Sequence, residues 1–309
     1  MSSVFATGAD ERYGYHLINL LGSLKANSDV FDRVVVFDLG LSPHQRTLLD
    51  QVRTADVRTV PAFAPRWREG RAWKTWIWTH VEGESIFWLD AGATLLRPLD
   101  KALAQIAERG YFVVSQGHPI GDSIPSDYYE LYGFPREKAD SVSIAAGIIG
   151  FRRSSDFFAR VIEPTHRDCL EGRSIGFSPD ESRRLNIGLD RNAEPKIRDC
   201  KHFRWDQTVL NLRFYLATAD PVIADLDEYA GWQSRRDHPQ QVIWSHRRQG
   251  NMAYLARVPY RRGAVLRGRA FGIAFRGRWW LRMHRRFFIG STYLWKVRKI
   301  ARSLSRSPG

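Results

Sequence analysis

The sequence predicts an α/β fold built on a mostly parallel sheet flanked by helices, and three observations predict it. Short β-branched or aromatic runs alternate with amphipathic stretches through the first half of the chain. The helical spacers are about 10–15 residues long, the length a crossover between parallel strands needs. The apolar runs end on Gly or Asp, where ligands gather in such sheets. With 309 residues, 43% apolar and 26% charged, the chain supports a sizeable core and has the composition of a folded protein.

The elements follow in order. Val4 to Thr7 is a short strand ending at Gly8, and Tyr13 to Ala26 is a helix with Leu17, Leu20, Leu21 and Leu24 on one face. Arg33 to Phe37 is a β-branched strand closed by Asp38 and Gly40. Ser42-Pro43 opens a helix through Leu49, with serine as cap and proline at the first helical position. Asp56–Val60 is a strand, Trp73–Val81 a helix, and Ile86–Leu89 a strand running into Asp90. Pro98–Arg109 is a helix and Tyr111–Val114 a strand. Residues 116–140, rich in Gly, Pro, Asp and Tyr, read as a loop or lid whose Tyr128, Tyr129 and Tyr132 either stack on a ligand or pack the lid down. His118 and Asp122 are weaker contact candidates there. Val142–Phe151 is a strand, Ser154/Ser155 caps a helix to about Val161, and Trp205–Leu216 is a helix. Pro221–Ala224 and Gln241–Ser245 are late short strands.

Charge divides the chain. Of 47 Lys and Arg, fifteen lie from Arg257 onward, where there is no Asp or Glu; residues 1–256 carry 32 basic and 33 acidic groups. The formal +14 therefore belongs to a basic tail that also holds eight large aromatics, from Phe271 to Trp295. Basic plus aromatic composition suits an interfacial membrane element, a single-stranded nucleic-acid groove or a folded packing element. No stretch approaches the roughly 18 apolar residues of a spanning helix. No basic segment leads an apolar run at the start, so no cleaved secretory signal is expected. Cys169 and Cys200 exclude a disulfide framework and read as two unpaired cytosolic thiols, with a single disulfide as the alternative.

Asp90 carries the sharpest chemical signal. A buried strand delivers its carboxylate, and Ala91-Gly92-Ala93 then lets a ligand approach the backbone. Such a carboxylate suits Mg²⁺ or Mn²⁺ on a diphosphate, or it caps a turn.

Six ordered motifs together resemble glycosyltransferases of the GT-A fold, most closely family 8, with a Rossmann-like sheet. Phe5-Ala6-Thr7-Gly8-Ala9-Asp10 with Tyr13 resembles the nucleoside-holding first strand and turn, and Ala72-Trp73-Lys74 the region where a basic residue meets the nucleotide. Leu89-Asp90-Ala91-Gly92 sits where that family carries Asp-x-Asp. Ala145-Ala146-Gly147-Ile148-Ile149 is similar to the Asn-Ala-Gly strand along the donor sugar. Trp205-Asp206-Gln207 through Asn211 is similar to the Asp-Gln…Asn helix, and Val242–His246 to the late strand ending in a metal-binding histidine.

The resemblance implies a GT-A like catalytic domain over 1–256 and a membrane-associating extension over 257–309. It implies a hexosyltransferase-like enzyme moving a sugar from a nucleotide-diphosphate donor, with a UDP-sugar favoured, to a glycan or lipid-linked acceptor. Retention of anomeric configuration goes with it. Asp206 and Gln207 are the catalytic candidates. Thr7, Gly8, Ala9, Asp10, Tyr13, Lys74, Asp90, Ala91, Gly92, Ala146 and Gly147 are the nucleotide-sugar contacts, and Asp90 with His246 the Mn²⁺ or Mg²⁺ ligands. The catalytic body favours an anionic membrane surface over nucleic acid as the tail's partner, placing the protein in the cytoplasm on the inner face of the membrane. Two departures stand out: Gly92 replaces the second carboxylate, and Ala145 or Ala146 the strand Asn. Lys74, Arg66, Arg68 and Arg71 are candidates to replace the cation. The alternative is a binding protein of this shape that has lost turnover.

Overall fold

The computed structural model describes residues 2–64, 66–176, 199–230, 240–245, 254–261 and 273–274. Its main sheet uses β1 (Ser3–Ala9), β2 (Arg33–Asp38), β3 (Ala55–Thr59), β4 (Ser85–Leu89), β6 (Tyr111–Pro119) and β7 (Val142–Arg152). The order is β3-β2-β1-β4-β7-β6. The β1–β2, β2–β3 and β1–β4 pairs are parallel, while β7 runs antiparallel to both β4 and β6. A second, two-stranded sheet pairs β5 (Thr94–Leu95) with β8 (Ile243–Trp244). The predicted α/β class with a mostly parallel sheet is the observed one.

Both faces of the sheet are covered, which is why its strands read as continuous apolar runs. Along β4, Ile86 and Trp88 enter the core on one side, and Phe87 and Leu89 the core on the other. β1 divides the same way, with Val4 and Ala6 opposed to Phe5. The helices that cover these faces are α1 (Gly14–Asn27), α2 (Pro43–Asp50), α3 (Ala72–His80), α4 (Asp100–Arg109), α5 (Ser126–Tyr132), α6 (Glu163–Leu170) and α7 (Asp206–Ala217). Ser42 caps α2 through a reciprocal box with Gln45, the Pro43 start being pre-set for helix.

Three expectations change. Residues 116–140 are not a lid: β6 runs on to Pro119 and α5 follows. Tyr128 is fully buried there, its hydroxyl donating to the Arg173 carbonyl at 2.7 Å, and the Arg213 guanidinium lies 4.9 Å over the Tyr132 ring. The helix capped near Ser155 does not stop at Val161; it passes through a wide turn at Phe158–Ile162 into α6. Finally, Pro221–Ala224 makes one bridge, Val114 to Ala224, rather than a strand.

The described residues 254–261 pack on this body. Leu255, Val258 and Tyr260 join the apolar cluster of α1 and α2. The Arg53 amide donates to the Pro259 carbonyl at 2.8 Å, and the Arg261 amide to the Gln51 carbonyl at 2.7 Å. Gly22 of α1 permits this docking, because a Cβ there would sit 2.1 Å from the Tyr254 carbonyl oxygen. Beyond Arg261 the basic extension lies outside the described residues apart from 273–274. Cys169 and Cys200 are free thiols, Cys169 buried.

Two buried histidines make stability depend on pH. Burial pulls both His16 and His166 down to about 4, and the neighbouring His80 adds to the effect at His166. An unfolded histidine takes its proton near pH 6.5, so between about 6.5 and 4 the unfolded chain binds more protons than the folded one. The stabilisation is therefore complete above pH 6.5 and is lost as pH falls toward 4, at about 1.4 kcal/mol per pH unit for each group. Thermal melts should show Tm falling from pH 7 to 4.5, and His166→Gln should make that fall shallower; an unchanged slope in the variant would remove His166 from the account.

Candidate functional site

A cavity of about 640 Å³ opens at the carboxyl ends of β1 and β4, within the size range of small-molecule sites. Three segments of the sheet reach it side by side. β1 supplies Gly8, Ala9 and the following Asp10; β4 delivers Asp90 and the turn Ala91-Gly92-Ala93; β7 crosses with Ala145–Ile148. The antiparallel register sets Ile148 opposite Leu89, so Gly147 lies beside Asp90 and the Asp90 amide donates to the Gly147 carbonyl at 2.9 Å. A Cβ on Gly147 would stand 2.8 Å from Asp90 Oδ2, so the strand approaches the carboxylate only because the residue is glycine. Trp67, Arg68, Arg71, Trp73 and Lys74, from the start of α3 and the loop before it, form the facing wall. Trp205 and Gln207, at the start of α7, close the far end.

Lys74 ties these elements together. The side chain is buried, yet its ammonium lies 3.0 Å from Asp90 Oδ1, 3.4 Å from Asp206 Oδ2 and 3.4 Å from the Ala146 carbonyl oxygen. Trp88 Nε1 donates to Asp90 Oδ1 at 2.9 Å. Burial alone would push Asp90 up, but the charges of Lys74 and Arg71 and the hydrogen bonds from Lys74 and Trp88 outweigh it and hold the carboxyl below its ordinary range. Asp206 goes the other way. Burial raises it, against the pull of Lys74 and Arg71, and the Asp90 charge adds to the rise. The two carboxyls thus share one ammonium with their affinities for a proton pushed apart.

α7 is fixed on β7 by side-chain amides. Asn211 Oδ1 accepts from the Ile144 amide at 2.7 Å, and Asn211 Nδ2 donates to the Ile144 carbonyl at 3.1 Å. Gln207 Nε2 donates to Ser143 Oγ at 3.1 Å. The helix begins from a strained residue: Trp205 has φ 50° and ψ −122°, a conformation that costs a bulky side chain about 1–3 kcal/mol. Arg71 and Arg66 are the other non-glycine residues with positive φ among those described. Both belong to the loop before α3.

Most of the sequence-predicted contacts meet at this cavity. Gly8, Ala9, Asp10, Tyr13, Lys74, Asp90, Ala91, Gly92, Ala146, Gly147 and Gln207 wall it. Thr7 is buried one residue deeper in β1 and does not reach the wall. Asp206 is fully buried behind Lys74 and also stays off the wall, with Lys74 and Arg71 standing between it and the cavity. His246 lies outside the described residues. Arg68 and Arg71 line the cavity, whereas Arg66 pairs with Glu69 at 2.5 Å. Asp38 serves its own turn, accepting from the Gly40 and Leu41 amides, each at 2.8 Å. His118 and Asp122 do not line the cavity; Asp122 pairs with Lys201 at 3.2 Å. Sequence reasoning missed Arg12, Gln116 and Trp205 on the wall, while Trp73 both packs against the core and lines the cavity. Only Trp205 had a signal, its position directly before Asp206-Gln207.

The described donors do not fit a divalent cation. Among the described residues no three His, Cys, Asp or Glu side chains converge. Gly92 stands where a second carboxylate would be, and both Asp90 oxygens lie within 3.3 Å of the Lys74 ammonium. A dication at Asp90 would have to displace a buried ammonium. What the wall offers an anion is fixed positive charge from Lys74, Arg68 and Arg71.

No family model matches the chain, and no curated protein does. Solved structures similar to it include the apo structure of WbbM, a bifunctional glycosyltransferase, at 12% identity and TM-score 0.49 over 79% of this chain and 45% of that one. The galactosyltransferase LgtC in complex with donor and acceptor sugar analogs is similar at 13% identity and TM-score 0.44, over 78% of this chain and 86% of that one. The apo form of the glycosyltransferase GlyE from Streptococcus pneumoniae TIGR4 is similar at 10% identity and TM-score 0.38, over 74% and 46%. The chain spans under half the length of WbbM and of GlyE.

Removing the shared ammonium tests the network. Lys74→Met should cost about 3–5 kcal/mol in a denaturant melt, because it strands the fully buried Asp206 carboxyl. Adding Asp206→Asn should recover much of that loss. A double variant as unstable as the single one would mean that packing of the lysine stem, not its charge, sets the cost.

Proposed function

We propose that the chain is a glycosyltransferase resembling family 8, which moves a sugar from a nucleotide-diphosphate donor, a UDP-sugar by preference, to a glycan or lipid-linked acceptor. The observation that carries this reading is the cavity's polarity along the sheet edge. At the β1 end, Asp10, Arg12 and Tyr13 offer a polar and aromatic seat for a nucleoside. In the middle, Gly92 and Gly147 leave open backbone opposite Lys74, Arg68 and Arg71, which suits a diphosphate. At the α7 end, Ala146, Gly147 and Gln207 border the space left for the sugar.

The chemistry follows from charge. Breaking the sugar–phosphate bond develops negative charge on the leaving diphosphate and positive charge on the ring. Lys74 is held in place before the reaction begins, so it stabilises the leaving group without reorganising. Arg68 and Arg71 add guanidinium forks for phosphate oxygens. Gln207 is anchored through Nε2 on Ser143, and its Oε1 has no partner among the described residues, which equips it to orient the sugar or stabilise the ring's charge. Asp206 is a positioning residue that fixes the lysine from behind. A divalent ion would add Lewis-acid stabilisation of the diphosphate, but the described donors favour fixed cations and no step here requires one. Binding without turnover is the second reading, favoured by the single carboxylate at the strand end.

The basic aromatic segment after Arg257 addresses the enzyme to an anionic membrane surface, as rings at headgroup level and arginines on lipid phosphate would do. Among the described residues no helix is long and apolar enough to cross a membrane.

Two experiments check these statements. In a thermal-shift screen, UDP and a UDP-sugar should raise Tm in EDTA as well as in Mn²⁺. Gln207→Ala should keep that shift while transfer or hydrolysis drops by about 10²-fold. A shift without turnover in the wild type selects the binding-protein reading, and no shift with any nucleotide sugar refutes both. Separately, the full chain should co-sediment with vesicles containing phosphatidylserine, and a chain ending at Arg261, which keeps Val258 and Tyr260 docked, should not. Equal sedimentation of the two would remove the tail from membrane attachment.

A further inference from the structure

Resting on the donor reading above, we infer that Trp205 and Arg71 form the acceptor subsite, a platform on which a pyranose ring of the acceptor stacks. Trp205 is 45% exposed, one of few large apolar side chains so open among the described residues, and it lies on the cavity wall rather than on a remote surface. The Arg71 guanidinium stands 4.9 Å from the centre of its indole, which fixes the ring and leaves the rest of it open. Both residues hold positive φ without being glycine, 60° at Arg71 and 50° at Trp205. Strain retained at two touching residues on one cavity wall points to a task for them there.

Position selects the occupant. The sheet order sets β1, β4 and β7 in sequence across the cavity floor, and α7 is bonded to β7 through Ser143 and Ile144. Trp205 is therefore at the end opposite Asp10 and Tyr13, directly before Asp206 and two residues before Gln207. A donor laid from the β1 end places its anomeric carbon toward this end, and the group that attacks it arrives here. The negative π-face of an indole attracts the polarised C–H face of a sugar, and a tryptophan already held by Arg71 loses little freedom on binding. Arg71, 4.9 Å from the ring centre and 3.9 Å from Asp206, holds the indole beside the space left for the diphosphate.

The test uses the full chain and saturation-transfer NMR with a panel of methyl glycosides (glucoside, galactoside, mannoside, N-acetylglucosaminide and glucuronide), each with and without saturating UDP. The wild type should show transfer to the ring C–H protons of at least one glycoside. Trp205→Phe should retain part of that signal. Trp205→Gly should weaken the glycoside at least tenfold, leave UDP affinity within twofold, and leave Tm equal or higher, because glycine adopts this φ and ψ without strain. Glycoside binding by Trp205→Gly equal to wild type overturns the platform, as does absence of any glycoside signal in the wild type. Parallel loss of UDP binding places the nucleobase on the indole instead, and a marked fall in Tm makes the ring a packing element; either result overturns the inference. Failure of UDP to bind the wild type strikes the donor reading, while the glycoside arm without UDP still answers for Trp205.

Discussion

One buried ammonium holds the site together. Lys74 reaches from α3 to the end of β4 at Asp90, to the backbone of β7 at Ala146 and to the first residue of α7 at Asp206. Burying a lysine is costly, and the cost is offset only where the partners are close and well directed. Here the partners come from three elements distant in sequence. Each depends on the others being in place, so the charge specifies how β4, β7 and α7 meet. The interaction is weak evidence for stability and strong evidence for a defined geometry around the cavity.

The reversed strand β7 makes that geometry available. Antiparallel to β4, it brings Gly147 beside Asp90 in mid-strand instead of ending there. Its pairing with β6 is irregular between Ser115 and Pro119. Ile144 keeps Ser115 as its β6 partner, and beyond the end of the β4 pairing the Asn211 amide bonds both its backbone groups. A side chain of α7 thus stands in for a ladder partner, because a buried backbone group left without one costs more than the asparagine does. The same bonds set how far Gln207 and Trp205 project over the cavity.

Much of this was legible in the sequence because the parallel strands are buried on both faces and read as unbroken apolar runs. Asp90 stood out as the carboxylate such a run delivers, and the Ser42-Pro43 cap was readable from local chemistry alone. The direction of β7 was not, since no local pattern distinguishes a parallel from an antiparallel central strand. The two-residue strand Thr94–Leu95 is too short for periodicity to register, whereas its partner Ile243–Trp244 lies inside the strand expected over Gln241–Ser245. Composition misled at 116–140, where Gly, Pro and Tyr suggested a loop; Tyr128 and Tyr132, four residues apart, are the packed side of a helix. Among the site residues, Asp206 was found but its depth was not, because the Asp-Gln dipeptide does not say which side chain faces the ligand. Trp205 was hidden by its backbone, which takes a conformation no tryptophan would be assigned from propensity.

The proton on Asp206 decides what charge the cavity presents. With Asp206 ionised, the one ammonium faces two carboxylates, and Arg71 stands 3.9 Å from the deeper one. With Asp206 neutral, Lys74 and Asp90 balance each other, and Arg68 and Arg71 face the cavity uncompensated. Burial and the neighbouring Asp90 charge both favour the neutral form. An anion on this wall would add negative charge near the same lysine and push in the same direction, since like charges within a few ångströms raise a carboxyl's proton affinity. The buried aspartate therefore holds the lysine from behind, and negative charge brought to the cavity works in the same direction as burial on its carboxyl.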